Sequence, residues 1–259
     1  MAEYVLSDLH LSLGVDKPME VFGDRWINHT EKIEKNWKKL IKDDDTVIVP
    51  GDISWGLDMS EAVPDFDFIE NLPGKKIFLK GNHDLYWATQ KKMDDFVSQH
   101  GYKTLTFLFN NACETENFII AGTRGWYSDE REKVSDNAEN EKIIKREVGR
   151  LKISLDKAKK LQEKILEEQG IQKEILAFLH FPAVFPGYIC DEIVYTLWQY
   201  DIKRCYYGHI HANYDVPSKI EYSDISFYIT SADYLNFMPM LITKKINLNW
   251  HINKIYDIL

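Results

Sequence analysis

Five short apolar runs in this chain each stop at a cluster of carboxylate, amide or imidazole side chains. The clusters read Ser7-Asp8-Leu9-His10, Pro50-Gly51-Asp52-Ile53-Ser54, Lys80-Gly81-Asn82-His83-Asp84, Phe178-Leu179-His180-Phe181-Pro182 and Tyr207-Gly208-His209-Ile210-His211. An apolar run of about 4–8 residues closed by turn residues is consistent with a buried strand. Helical patterns separate most of these runs, and strands alternating with helices imply a layered α/β fold with a sheet covered by helices. In such folds, side chains at the C-terminal ends of strands are the usual site builders.

The donors are the oxygen and nitrogen types that suit borderline divalent cations. Asp8, His10, Asp52, Asn82, His180, His209 and His211 occur in an order that a two-metal site requires. Two metals held about 3.5–4 Å apart need a ligand with two oxygens to share. Asp52, in the middle motif, is the candidate bridge. His209 and His211 are two residues apart, so on an extended segment their rings share a face. Gly51, Gly81 and Gly208 each precede a donor, where a missing Cβ permits turns and close backbone approach.

The chain has 259 residues and a net charge of −9, with 44% apolar and 28% charged residues. These are the proportions of a soluble globule, and no Pro/Gly/Ser linker divides it, so residues 1–259 read as one domain. The acidic balance argues against long nucleic acid as a partner, whose binding is driven by Lys and Arg. No run approaches the roughly 20 apolar residues of a membrane span. Cys113, Cys190 and Cys205 are scattered and odd in number. With no charged-then-apolar leader before Asp8, the expectation is a reduced, cytoplasmic protein.

Between the motifs, the pattern predicts helices over Phe22–Asp44, Ser60–Asn71 with Ser60 as N-cap, Thr89–His100, Glu139–Gln169 and Asp191–Tyr200. Strands are expected at Ala2–Leu6, Thr46–Val49, Lys76–Leu79, Leu105–Phe109, Asn117–Gly122, Ile175–Leu179 and Arg204–Tyr207. A strand meander is expected from Ile220 to Leu259. Trp26, His29 and Trp55 are candidates for the pocket wall, with packing the expected role for the two tryptophans. His100 and His251 match no motif.

With those five motifs in that order, the chain resembles the calcineurin-like metallophosphoesterase superfamily over nearly its whole length. The resemblance implies a four-layer α/β/β/α sandwich of two mixed sheets flanked by helices. It implies a dinuclear centre of manganese, iron or zinc, with Asp8, His10, Asp52 and His211 on one ion and Asp52, Asn82, His180 and His209 on the other. It implies hydrolysis of a small phosphorylated substrate, mono- or diester, by a hydroxide between the ions. His83 would assist the leaving oxygen, and Asp84 would orient its ring. Arg124, in Gly122-Thr123-Arg124-Gly125-Trp126, is a candidate phosphate clamp. The protein Ser/Thr phosphatase branch carries an arginine where this chain has Tyr86, which argues against that activity. The alternative is a scaffold that keeps the fold and binds partners without turnover; retention of every donor and of His83 weighs against it.

Overall fold

The computed structural model describes residues 1–126 and 137–243, with side chains for all of these but 137–139. In chain order the elements begin with β1 (Glu3–Val5), two short 3-10 turns (Met19–Phe22 and Asp24–Trp26), α1 (His29–Leu40) and β2 (Thr46–Pro50). Then come α2 (Met59–Glu70), β3 (Lys75–Leu79), α3 (Gln90–His100), β4 (Leu105–Phe107), β5 (Ala112–Glu114) and β6 (Phe118–Thr123). The long helix α4 (Asn137–Gln169) leads to β7 (Glu174–Leu179), the hairpin β8 (Val184–Phe185) and β9 (Tyr188–Ile189), and α5 (Asp191–Gln199). β10 (Arg204–Tyr207), β11 (Lys219–Tyr222), β12 (Ile225–Ile229) and β13 (Met240–Ile242) follow.

Two mixed sheets result, ordered β13-β1-β2-β3-β4 and β11-β12-β10-β7-β6-β5. In each, the inner strands run parallel, while β13, β11 and β5 attach antiparallel at the edges. The sheets face one another. Val5, Ile48, Ile77 and Leu79 of the first interleave with Phe118, Ile120, Leu176, Phe178 and Tyr206 of the second in one apolar layer. Alternate residues point outward. Val47, Val49 and Phe78 meet Ile33 and Trp37 of α1 and Phe66 of α2, while Ala177 and Leu179 meet Leu151 and Leu155 of α4 and Ile193 of α5. Strands buried on both faces read as unbroken apolar runs, which is why they stand out in the sequence. The expected α/β/β/α sandwich is the observed architecture.

Some expectations need correction. The helix read over Phe22–Asp44 is confined to α1, because Asn28 adopts left-handed backbone (φ 53°) and Asp24–Trp26 forms a 3-10 turn. Asp58, not Ser60, caps α2: its carboxylate accepts from the backbone N–H of Ser60 and Glu61. Of the expected terminal meander, β11 and β12 form a hairpin in the second sheet and β13 crosses back to pair with β1. The meander beyond residue 243, and His251, lie outside the described residues. In α4, Gln162 interrupts the apolar stripe and donates to the Lys173 carbonyl (2.6 Å). Among the described residues no helix is long and apolar enough to cross a membrane. All three cysteines are free, and burial pushes Cys113 and Cys190 up to about 11, as expected of inert thiols.

Candidate metal centre

The parallel strands of both sheets deliver their C-terminal ends to one edge of the sandwich. The first sheet brings Asp8 and His10 after β1, Asp52 after β2 and Asn82 after β3. The second brings His180 after β7, and His209 and His211 after β10. All seven expected donors meet there. Asp8, His10 and His211 form one group and Asp52, His180 and His209 another, the donor atoms of each lying within 4.8 Å of one another. Asn82 joins the second group, its Oδ1 standing 2.6 Å from His180 Nε2 and 3.1 Å from His209 Nδ1. Asp52 Oδ2 lies between the groups, 3.7 Å from His10 Nε2 and 3.4 Å from His180 Nε2. That is the position of a shared carboxylate.

The backbone is bent to make this possible. Asp8, His10, Asp52 and His209 all have positive φ (59°, 45°, 52° and 68°), a region side chains other than glycine rarely occupy. Gly51 turns at φ +93°, and a Cβ there would come 2.6 Å from Gly81 Cα and 2.8 Å from His180 Nδ1. The ligand loops therefore approach one another closely at this glycine.

Partners behind the donors fix their direction. His180 Nδ1–H donates to Pro50 O (3.1 Å) and His211 Nδ1–H to Asp233 Oδ1 (2.8 Å), so each turns Nε2 toward the centre. Asp233 is fully buried and also accepts from Ala212 N–H and the Tyr214 hydroxyl. No sequence pattern marks it; its position in Ser231-Ala232-Asp233, beside the end of β12, is the sole clue. His29 uses Nε2 to hold the His10 carbonyl (3.2 Å) rather than to line a pocket. Trp26 is buried and packs edge-on against His10 and His211.

Asp84 does not orient His83, contrary to expectation. Its oxygens accept from the backbone N–H of Asp52 (2.9 Å), Ile53 (2.8 Å) and Gly81 (2.6 Å) and from the Tyr86 hydroxyl (2.9 Å). It ties the second motif to the third, and the Tyr86 hydroxyl supports it there. The His83 ring instead packs at a tilt of 47° against Trp55 (4.2 Å between centroids) and edges His10 (5.6 Å), while its backbone N–H donates to Asp52 Oδ1 (2.8 Å). Asn82, His83, His209 and His211 are half-buried, so they form the open rim of the centre.

The electrostatics call for cations. Burial lowers His10 and His180, the latter to about 3, so both present neutral lone pairs. Burial and the neighbouring Asp84 and Asp8 carboxylates push Asp52 well above the usual carboxylate range. Burial opposes charge on His211, but its bonds to Asp233 and Asp8 outweigh that and raise it to about 10. A proton on His211 thus supplies positive charge that the buried carboxylates demand. His10 Nδ1 is buried without a partner among the described residues. Inward-facing neutral imidazoles around under-compensated carboxylates fit divalent ions by donor type and by charge.

Arg124 does not point its guanidinium among these donors. Its carbonyl accepts from His180 N–H (3.1 Å) and Phe181 N–H (2.8 Å), and its guanidinium lies over the Phe181 and Trp126 rings, 3.9 Å from Glu147.

A two-sheet α/β/β/α sandwich with paired Asp/His clusters at one edge places the molecule in the metallophosphoesterase fold class. The family model matches residues 4–213, and the chain belongs to the calcineurin-like phosphoesterase family. Among solved structures it is similar to a protein of unknown function from Aquifex aeolicus (14% identity, 98% of each chain covered, TM-score 0.48). It is also similar to a phosphopantetheinyl hydrolase from Mycobacterium tuberculosis (14% identity, 94% of this chain and 96% of that one, TM-score 0.49). A third likeness is to the protein TT1561 of Thermus thermophilus (8% identity, 90% and 89%, TM-score 0.48). Comparison with curated proteins finds no match.

Proposed function

We propose that this chain is a cytoplasmic, dinuclear-metal phosphohydrolase acting on a small phosphate ester. The observation that carries the reading is Asp52 Oδ2, set between two donor groups at distances of 3.7 and 3.4 Å from their imidazoles. In it, Asp8, His10, Asp52 and His211 hold one ion, and Asp52, Asn82, His180 and His209 hold the other. When bound, such an ion pair acidifies water and neutralises phosphoryl charge.

The protein's own groups do the rest. Pro50 O holds the His180 ring and Asp233 the His211 ring, so each turns Nε2 inward; on His211 an ion would take the place of the proton that the metal-free chain keeps there. Asp84 keeps the Asp52 and Gly81 loops at fixed separation. His83, half-open to solvent on the rim, delivers a proton from its ring nitrogen to the leaving oxygen. Trp55 keeps that ring in place.

The test is metal analysis together with hydrolysis of p-nitrophenyl phosphate and bis-p-nitrophenyl phosphate by manganese-loaded protein. We expect two metals per chain and turnover of at least one ester, with faster cleavage of one assigning monoester or diester chemistry. Asp52→Asn should lose both metal and rate. Two tightly held metals with no turnover of either ester would favour the scaffold reading instead.

A further inference from the structure

A second site adjoins the metal centre. A cavity of about 330 Å³ opens between the ends of β3, β4 and β6 and the N-terminal half of α4. That volume is at the small end for a small-molecule pocket. Its wall includes Lys80, Arg124, Arg146 and Arg150, against a single carboxylate, Glu147. The excess of three positive charges is concentrated here in a chain whose net charge is −9.

Glu147 is fully buried and organises the cluster. It lies 2.7 Å from Arg150, 3.4 Å from Arg146 and 3.9 Å from Arg124, and it accepts from the Thr123 hydroxyl (2.8 Å). Each guanidinium has five N–H donors in a fixed fork, so among the described residues this one carboxylate leaves most of them unused. Arg124 Nε is buried with no partner among the described residues. So is the indole Nε1–H of Trp87, a wall residue that is only 7% exposed. Lys80 makes no ion pair among the described residues. Buried donors without acceptors are costly. A cavity lined by spare donors and positive charge accepts an oxyanion, and neither a cation nor an apolar ligand satisfies it.

The cavity and the metal centre share a wall. Lys80 is two positions before Asn82, so their Cα atoms are separated by no more than about 7 Å. The Arg124 carbonyl holds the His180 backbone, and the Phe181 ring beneath the Arg124 guanidinium contacts His209 (4.4 Å between centroids). A small molecule that reaches across this wall addresses both places. We infer that the substrate carries two phosphate groups, as in a sugar or nucleoside bisphosphate: one is hydrolysed at the metal centre, and the other is gripped by Lys80, Arg124, Arg146 and Arg150. This rests on the phosphohydrolase reading and adds the substrate class to it.

Two measurements test it. Calorimetry of inorganic sulfate binding to the full chain at low salt reads anion binding, and the two variants separate the cavity from the metal centre. Arg146→Gln and Lys80→Gln, which leave the donor groups intact, should each weaken sulfate binding at least about tenfold, the loss of one charge-assisted hydrogen bond. With manganese-loaded protein, fructose 1,6-bisphosphate should exceed fructose 6-phosphate in kcat/KM by at least about tenfold, and adenosine 3′,5′-bisphosphate should exceed AMP similarly. Both preferences should collapse in the two variants while p-nitrophenyl phosphate turnover stays unchanged. Sulfate binding that ignores both variants, or equal handling of mono- and bisphosphates, would overturn the proposal. Variant-sensitive sulfate binding in a protein inert toward every ester would overturn the phosphohydrolase reading and its substrate class, and leave the anion site standing.

Discussion

At the scale of single residues, the centre is built from side chains placed on a backbone they disfavour. Left-handed conformation costs an L-residue roughly 1–2 kcal/mol, and Asp8, His10, Asp52 and His209 all adopt it. In metal-free protein, Asp52→Gly should therefore be more stable than Asp52→Ala by about 1 kcal/mol, a difference urea unfolding would read. Equal midpoints would mean the loop relaxes and the strain is not imposed by the frame. His83 belongs to the rim, so His83→Ala should keep both metals and lose on the order of 10²–10⁴ in rate. Normal turnover by that variant would remove His83 from the chemistry. The donor types are legible because each motif is local: an apolar run and a few polar residues, contiguous in sequence. Asp233 is not, because it meets His211 from 22 positions away and only the fold brings them together. Asp84 misleads for the same reason. Its neighbour in sequence is His83, but its partners come from the Asp52 loop.

Elements are legible where burial is two-sided. β2, β3, β7 and β10 each carry an apolar run buried on both faces, and their observed ends fall within a residue of those the pattern predicts. β5, half-buried and three residues long, carries no such signal. Helix starts depend on which side chain reaches back to the N–H groups, and Asp58 and Ser60 are both competent caps by composition. One residue on β3 makes a prediction at this scale. Lys76 is fully buried and donates to the carbonyls of Glu70, the last residue of α2, and of Leu72 just beyond it, and to the Thr104 hydroxyl (3.1 Å). Burial lowers it to about 8 from the ordinary 10.5. Above pH 10.5 the amine is neutral in folded and unfolded chains alike. As pH falls from 10.5 to 8, the unfolded chain takes up a proton that the native state refuses, so stability declines through that window and levels off below it. The decline should be on the order of 3 kcal/mol. Lys76→Met should abolish it, as urea midpoints measured from pH 8 to 10.5 would show. An unchanged pH profile in the variant would place the charge elsewhere.

For the molecule as a whole, helix–strand alternation announces a covered sheet, yet it cannot announce two. Both sheets present the same apolar alternation, and nothing in the period of a strand says which sheet it joins. β13 illustrates the point: it follows the β11–β12 hairpin in sequence but pairs with β1 on the other sheet. Metal loading should act on the whole sandwich, because ligands bound to the native state alone stabilise by mass action. At manganese roughly a hundredfold above its dissociation constant the gain should be about 2.7 kcal/mol, removed again by chelator. A melting temperature indifferent to manganese and to chelator would mean no site forms.

The division of donors between the sheets has a mechanical meaning. His10 and His211 stand 201 positions apart in the chain, on opposite sheets, yet their Nε2 atoms are 3.2 Å from each other. Ions held there would act as a clasp near the two ends of the described fold. Stretched from its termini, a loaded molecule should bear force through that clasp and shield the layers between, giving one high rupture event. The stripped molecule should peel open sheet by sheet at lower force.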